Sequence, residues 1–217
     1  MIPARRLRIA AAALAAIPVA GPAGAHPHVF AEARLELVSD GKEITAMQHV
    51  WRFDDLFSST IILEFDANGD AQLDDSERAE VSKVVKDSMS EFNFFQSVDD
   101  NGKDIDVSVP GDIIVDVQDN IVTFLFETVP AKPVKLAGRV AFGVYDPTFY
   151  TAIDFYEDTD MAVNGAMPAA CHPKVVRPDP DEALAQNQQS LTDAFFNDPA
   201  GTDMSKIFAT RLEISCG

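Results

Sequence analysis

The sequence predicts an α+β protein that is mainly β. It would be an antiparallel, sandwich-like sheet carrying a helix–loop–helix insertion and a C-terminal helix. Three observations predict it. Runs rich in Val, Ile, Phe and Thr, separated by Gly, Pro or Asp-Asn pairs, occupy residues 29–53 and 104–176. Residues 55–95, between them, change to helical spacing. Pro178-Asp179-Pro180 then opens a further helical stretch. At 217 residues and 47% hydrophobic, the chain suits one domain with an insertion and a tail, and is too apolar for a mostly disordered one.

Residues 1–25 read as a cleaved signal peptide and stand outside the fold. Arg5, Arg6 and Arg8 precede a short apolar stretch, Ile9 to Val19, and Ala23-Gly24-Ala25 supplies small residues at the cleavage positions. The stretch is too short to span a bilayer comfortably, and no later segment reaches 18 apolar residues. No membrane insertion is therefore expected after signal removal. The mature chain, 26–217, would begin at His26. Its formal charge becomes −21, because the leader takes three basic residues from a total of −18. Such a charge repels a phosphate backbone, which excludes nucleic acid as a partner and favours cations.

Val29 to Phe53 reads as a hairpin. VFAEARLELV and ITAMQHVWRF alternate apolar and polar residues around a Ser39-Asp40-Gly41-Lys42 turn. LFSSTIILEF and SERAEVSKVVKDSMSEFNFF form the two helices of the 55–95 insertion. DIDVSV, DIIVDV, NIVTFLFETV, RVAFGVYD and YTAIDFYE follow as strands, and MAVNGAMPAACHPKVV as one more hairpin. The C-terminal part, 178–217, holds a helix from about Asp181 to Phe196 and a last strand in KIFATRLEIS. In the oxidising compartment that export implies, Cys171 and Cys216 are most simply a disulfide, closing a loop for roughly 4 kcal/mol. Cys171-His172 as a soft metal pair is the sharper alternative.

Between the two predicted helices lies DANGDAQLDDSE, residues 66–77, which has the ligand spacing of an EF-hand calcium loop. Asp66, Asn68, Asp70, Asp74 and Glu77 hold positions 1, 3, 5, 9 and 12, and Gln72 at position 7 offers its carbonyl. Leu73 takes the apolar position 8. Two residues depart from the pattern. Ala71 replaces the glycine that supplies positive φ at position 6, for roughly 1 kcal/mol, and Arg78 follows where an apolar residue is usual. A weak, extracellular-type calcium affinity, about 10⁻⁴ to 10⁻³ M, is expected. A solvated acidic turn that binds nothing is the plain alternative.

The chain has four histidines: His26, His28, His49 and His172. His26-Pro27-His28 would start the mature protein, so the α-amine and imidazole of His26 form a chelate to which His28 adds a nitrogen. Pro27 lacks the amide hydrogen that an amino-terminal square-planar copper or nickel site loses. Zinc, nickel and copper all suit such nitrogen donors. Centring the hairpin turn between Asp40 and Gly41 places Glu32 opposite His49 and Phe30 opposite Trp51. Glu32 and His49 are then a candidate ligand pair, although His28 lies roughly 13 Å from Glu32 along the strand.

HPHVFAEARLEL, VWRFDDLFSS, DANGDAQLDDSE, VYDPTFY and a late Cys pair together resemble the DUF1007 family across the mature chain. The resemblance implies a bacterial periplasmic component of a transport system whose fellow component is a membrane permease of the nickel/cobalt, NicO-like type. It further implies zinc or nickel as the cargo. The expected function is thus a periplasmic metal-binding accessory of that permease, not an enzyme. The alternatives are a calcium-binding interaction module and a copper protein with an amino-terminal histidine site. No nucleophile triad, phosphate-cradling glycine loop or zinc-protease helix motif is present.

Overall fold

The computed structural model describes residues 27–109, 111–197 and 205–217, with side chains of 189–197 left aside. The expected leader and His26 lie outside the described residues. The chain runs β1 (Val29–Asp40), β2 (Glu43–Phe53), α1 (Asp55–Phe65) and α2 (Asp75–Ser90), then a short turn at Asn93–Phe95. Next come β3 (Gln96–Asp100), β4 (Lys103–Asp104), β5 (Val107–Ser108), β6 (Ile114–Gln118), β7 (Ile121–Pro130) and β8 (Val134–Lys135). β9 (Gly138–Val144), β10 (Thr151–Asp154), β11 (Met161–Ala166), β12 (Cys171–Val176), α3 (Pro180–Asn197) and β13 (Arg211–Cys216) complete it.

Among the described residues these strands form two sheets. The larger has the order β10-β1-β2-β7-β5, with β11 also beside β1, β6 beside β7 and β8 beside β2. The smaller is antiparallel throughout, in the order β12-β13-β9-β3-β4. The alternating strands explain the layering. Ala31, Ala33, Leu35 and Leu37 of β1 turn inward, as do Val122, Phe124 and Phe126 of β7, and they share one buried cluster with Val140, Phe142, Leu212 and Ile214 of the smaller sheet. Each Val, Leu, Ile or Phe among them contributes roughly 1.5–3 kcal/mol by leaving water. The protein is α+β and mainly β, as its composition predicts.

The helices pack onto this core. Ile61 and Ile62 of α1 and Val81 and Met89 of α2 join the cluster, and the buried Ser58 hydroxyl accepts the Val122 amide at 3.0 Å, which fastens α1 to β7. A disulfide joins Cys171 to Cys216 across β12 and β13. Cys171 sulfur is thereby committed, so it offers no thiolate for a soft pair with the exposed His172.

Three expectations need correction. β11 and β12 are not a hairpin: β11 runs parallel to β1, whereas β12 belongs to the other sheet. Gly165 permits the first placement, since it has φ +107° and a Cβ there would sit 2.2 Å from the Ser39 carbonyl oxygen. β10 likewise joins β1 in parallel, so the larger sheet is antiparallel only in part. The second helix stops at Ser90 rather than running on through Phe95, because Asn93, Phe94 and Phe95 take positive φ.

Candidate functional site

Residues 66–77 fold as the spacing implies, and local hydrogen bonds show why. Asp66 caps α1 through its amide to the Ile62 carbonyl, and its carboxylate accepts the amides of Gly69, Asp70 and Ala71 at 2.8, 3.1 and 2.8 Å. Asn68 accepts from the Asp70 amide and Asp70 from the Gln72 amide, both at 2.9 Å. Ala71 takes φ +62°, so the sixth position turns left-handed without glycine. Leu73 is buried in the core and anchors the loop's far side.

Asp74 and Glu77 then start α2 with a reciprocal capping box. The Glu77 amide and the Ser76 hydroxyl hold the Asp74 carboxyl below the usual carboxylate range. Glu77 is buried, and its oxygens accept the amides of Ala67 at 2.7 Å, Asn68 at 3.3 Å and Asp74 at 2.8 Å. Arg78, the second departure from the pattern, donates to the Leu73 carbonyl at 2.9 Å and so braces the loop.

Chemically the loop is a ring of hard oxygens turned toward its own amides. Among the described residues no three His, Cys, Asp or Glu side chains stand together closely enough to hold a metal as they are. The donor types fit calcium, and a cation there shares the Asp66, Asp70 and Glu77 oxygens with the amides they now accept.

The histidines do not converge. His28 is exposed at the start of β1, its amide donates to the Tyr150 carbonyl at 2.8 Å, and its ring lies 5.1 Å from the Tyr150 ring. His49 is 2% exposed, with Nε2 at 3.0 Å from Thr128 Oγ1 and its ring stacked on Phe126 at 4.6 Å. Burial pushes its pKa down to about 3, which keeps the imidazole neutral.

The expected Glu32–His49 pair is not formed. Glu32 lies opposite Arg52, and His49 opposite Leu35. The turn is tighter than assumed, with Gly41 at φ +94°, and the ladder is interrupted between Val38 and Ser39, where Thr45 has no partner and its hydroxyl donates to the Val38 carbonyl at 3.2 Å. The register therefore moves by an odd number of residues, which turns His49 into the core and leaves Glu32 on the exposed face. Phe30 and Trp51 separate for the same reason: Trp51 is buried opposite Ala33, while Phe30 is exposed.

A family profile described as "Protein of unknown function (DUF1007)" matches residues 10–216. The chain belongs to the DUF1007 family. This DUF1007 protein is also similar to an "Uncharacterized 15.5 kDa protein in trpE 3'region" of Spirochaeta aurantia, 26% identical over 103 residues, 48% of this chain and 74% of the relative. Neither description states a ligand or an activity, so the chemistry rests on the residues themselves. Sequence reasoning missed Tyr150 beside His28, which only the parallel docking of β10 on β1 reveals. It also missed Thr128, the partner of His49, which depends on the register of β7.

Proposed function

We propose that this DUF1007 protein is an exported, periplasmic calcium-binding module in which the 66–77 loop takes the ion and tightens α1 and α2 against the sheet. The observation that carries this reading is the pairing of a left-handed Ala71 at the sixth position with a buried Glu77 turned back into the loop at the twelfth. The helices end and begin where an EF-hand loop requires, at Phe65 and Asp75. The Cys171–Cys216 disulfide supports an oxidising location. Side chains of Asp66, Asn68, Asp70 and Asp74, the Gln72 carbonyl and both oxygens of Glu77 would hold the ion.

Calcium at ten times its Kd should raise stability by about 1.4 kcal/mol, read as an increase in Tm. Asp70→Asn, at an exposed position, should weaken calcium at least tenfold without loss of fold, and Glu77→Gln should abolish the shift. An unchanged Tm in excess calcium overturns the proposal.

A second reading rests on His28. Its exposed ring, fixed beside Tyr150 at the start of β1, suits a zinc, nickel or copper site completed by His26 at a free amino terminus. In that role the protein would be the metal-binding accessory of a membrane permease, with His49 and Glu32 taking no part. Native mass spectrometry of the mature protein should show one Zn²⁺ bound, weakened by a residue added before His26. No zinc binding at all removes this reading.

A further inference from the structure

Past the end of α2 the chain makes a turn that the calcium reading does not use. Asn93, Phe94 and Phe95 have φ of +50°, +52° and +59° in succession, a conformation that costs roughly 1–2 kcal/mol per L-residue. Packing enforces it. Phe94 is buried, and Phe95 lies nearly parallel to the Trp51 ring, 6.1 Å away and 12° from coplanar. The Asn93 side chain donates to the Gln96 carbonyl and accepts the Val107 amide, both at 2.9 Å.

Beside this turn is a cavity of about 510 Å³, within the size range of small-molecule sites. Phe92, Phe95 and Tyr145 give it aromatic walls, and Glu91, Asp106 and an Asp104–Lys206 ion pair stand on its lining. Among the described residues no basic side chain pairs with Glu91 or Asp106. Ring faces attract a desolvated cation, and two unneutralised carboxylates add to that attraction while repelling anions. The Lys206 ammonium on Asp104 shows that this lining already engages an alkylammonium of the chain itself.

We propose that the cavity between the Asn93–Phe95 turn and Tyr145 binds a small organic cation, an ammonium with an apolar body. Ring faces of Phe92, Phe95 and Tyr145 hold the apolar groups, and Glu91 and Asp106 supply the countercharge. The site is separate from the 66–77 loop and stands whether or not calcium binds there.

The test compares choline with 3,3-dimethylbutan-1-ol, its neutral isostere, and adds phenyltrimethylammonium as a larger cation. Trp51 is the single tryptophan of the sequence and stacks on Phe95, so its emission reports the cavity, with ligand-observed NMR as a second readout. At physiological salt one of the two cations should bind saturably and, for choline, at least tenfold tighter than the alcohol. Glu91→Gln with Asp106→Asn should weaken binding about tenfold, whereas Asp116→Asn with Asp119→Asn, the same charge removed from the β6–β7 hairpin, should leave it unchanged. The proposal is overturned by equal binding of choline and the alcohol. It is equally overturned by equal effects of the two double variants, or by no saturable binding of either cation in both readouts.

Discussion

The two ends of α2 are each reached through left-handed backbone, yet the means of holding it differ. Before α2, Ala71 is exposed and kept at φ +62° by the carboxylate of Asp66, which accepts its amide. After α2, Phe94 is buried at φ +52° and kept there by the core. The first clamp is electrostatic and open to water, so a cation can reset it. The second is apolar, so only a change in packing can. A helix held in this way has one adjustable end and one fixed end.

Breaking the fixed end should have the largest effect. Phe94→Ala removes a buried ring and should cost about 3–5 kcal/mol in denaturant unfolding. A smaller loss would mean that relief of the left-handed strain offsets the cavity. Acid should attack the same end through His49, which meets Trp51 edge-on at 6.2 Å, while Trp51 in turn stacks on Phe95. The folded imidazole has its pKa lowered from 6.5 to about 3, so its contribution is fully present above 6.5 and is lost as pH falls through that window. The slope should be roughly 1.4 kcal/mol per pH unit for one proton. His49→Gln, neutral at every pH, should flatten that part of the profile.

The adjustable end should respond more gently. Asp74→Ala removes the cap of α2 and should cost about 1 kcal/mol, with calcium weakened alongside. Ala71→Gly relieves the sixth position and should stabilise by about 0.5 kcal/mol, since the gain in φ is partly offset by chain entropy. The substitution sharpens the comparison only if calcium affinity rises with it, measured by calorimetry.

These contrasts also explain what could be read from the residues alone. The 66–77 loop was legible because its hydrogen bonds run between groups at most ten residues apart, the longest from the Ala67 amide to Glu77. Its conformation is written in Asp and Asn side chains. The β1–β2 register was not legible, since one unpaired residue, Thr45, reverses the face of everything beyond it. The turn at Asn93–Phe95 was hidden too: Asn-Phe-Phe carries no glycine to announce positive φ, and Phe94 and Phe95 adopt it because Trp51 and the core lie far away in sequence. The strand composition and the C-terminal helix could be read, but which sheet each of β11 and β12 would join could not.

The position of β13 sets the order in which the molecule can assemble. It lies between β12 and β9, two strands that both precede it along the chain. A polypeptide emerging amino end first leaves β9 with an open edge until residues 211–216 arrive, so the smaller sheet stays incomplete before then. The smaller sheet therefore closes only when the last strand docks, and the Cys171–Cys216 disulfide can lock it only after that step.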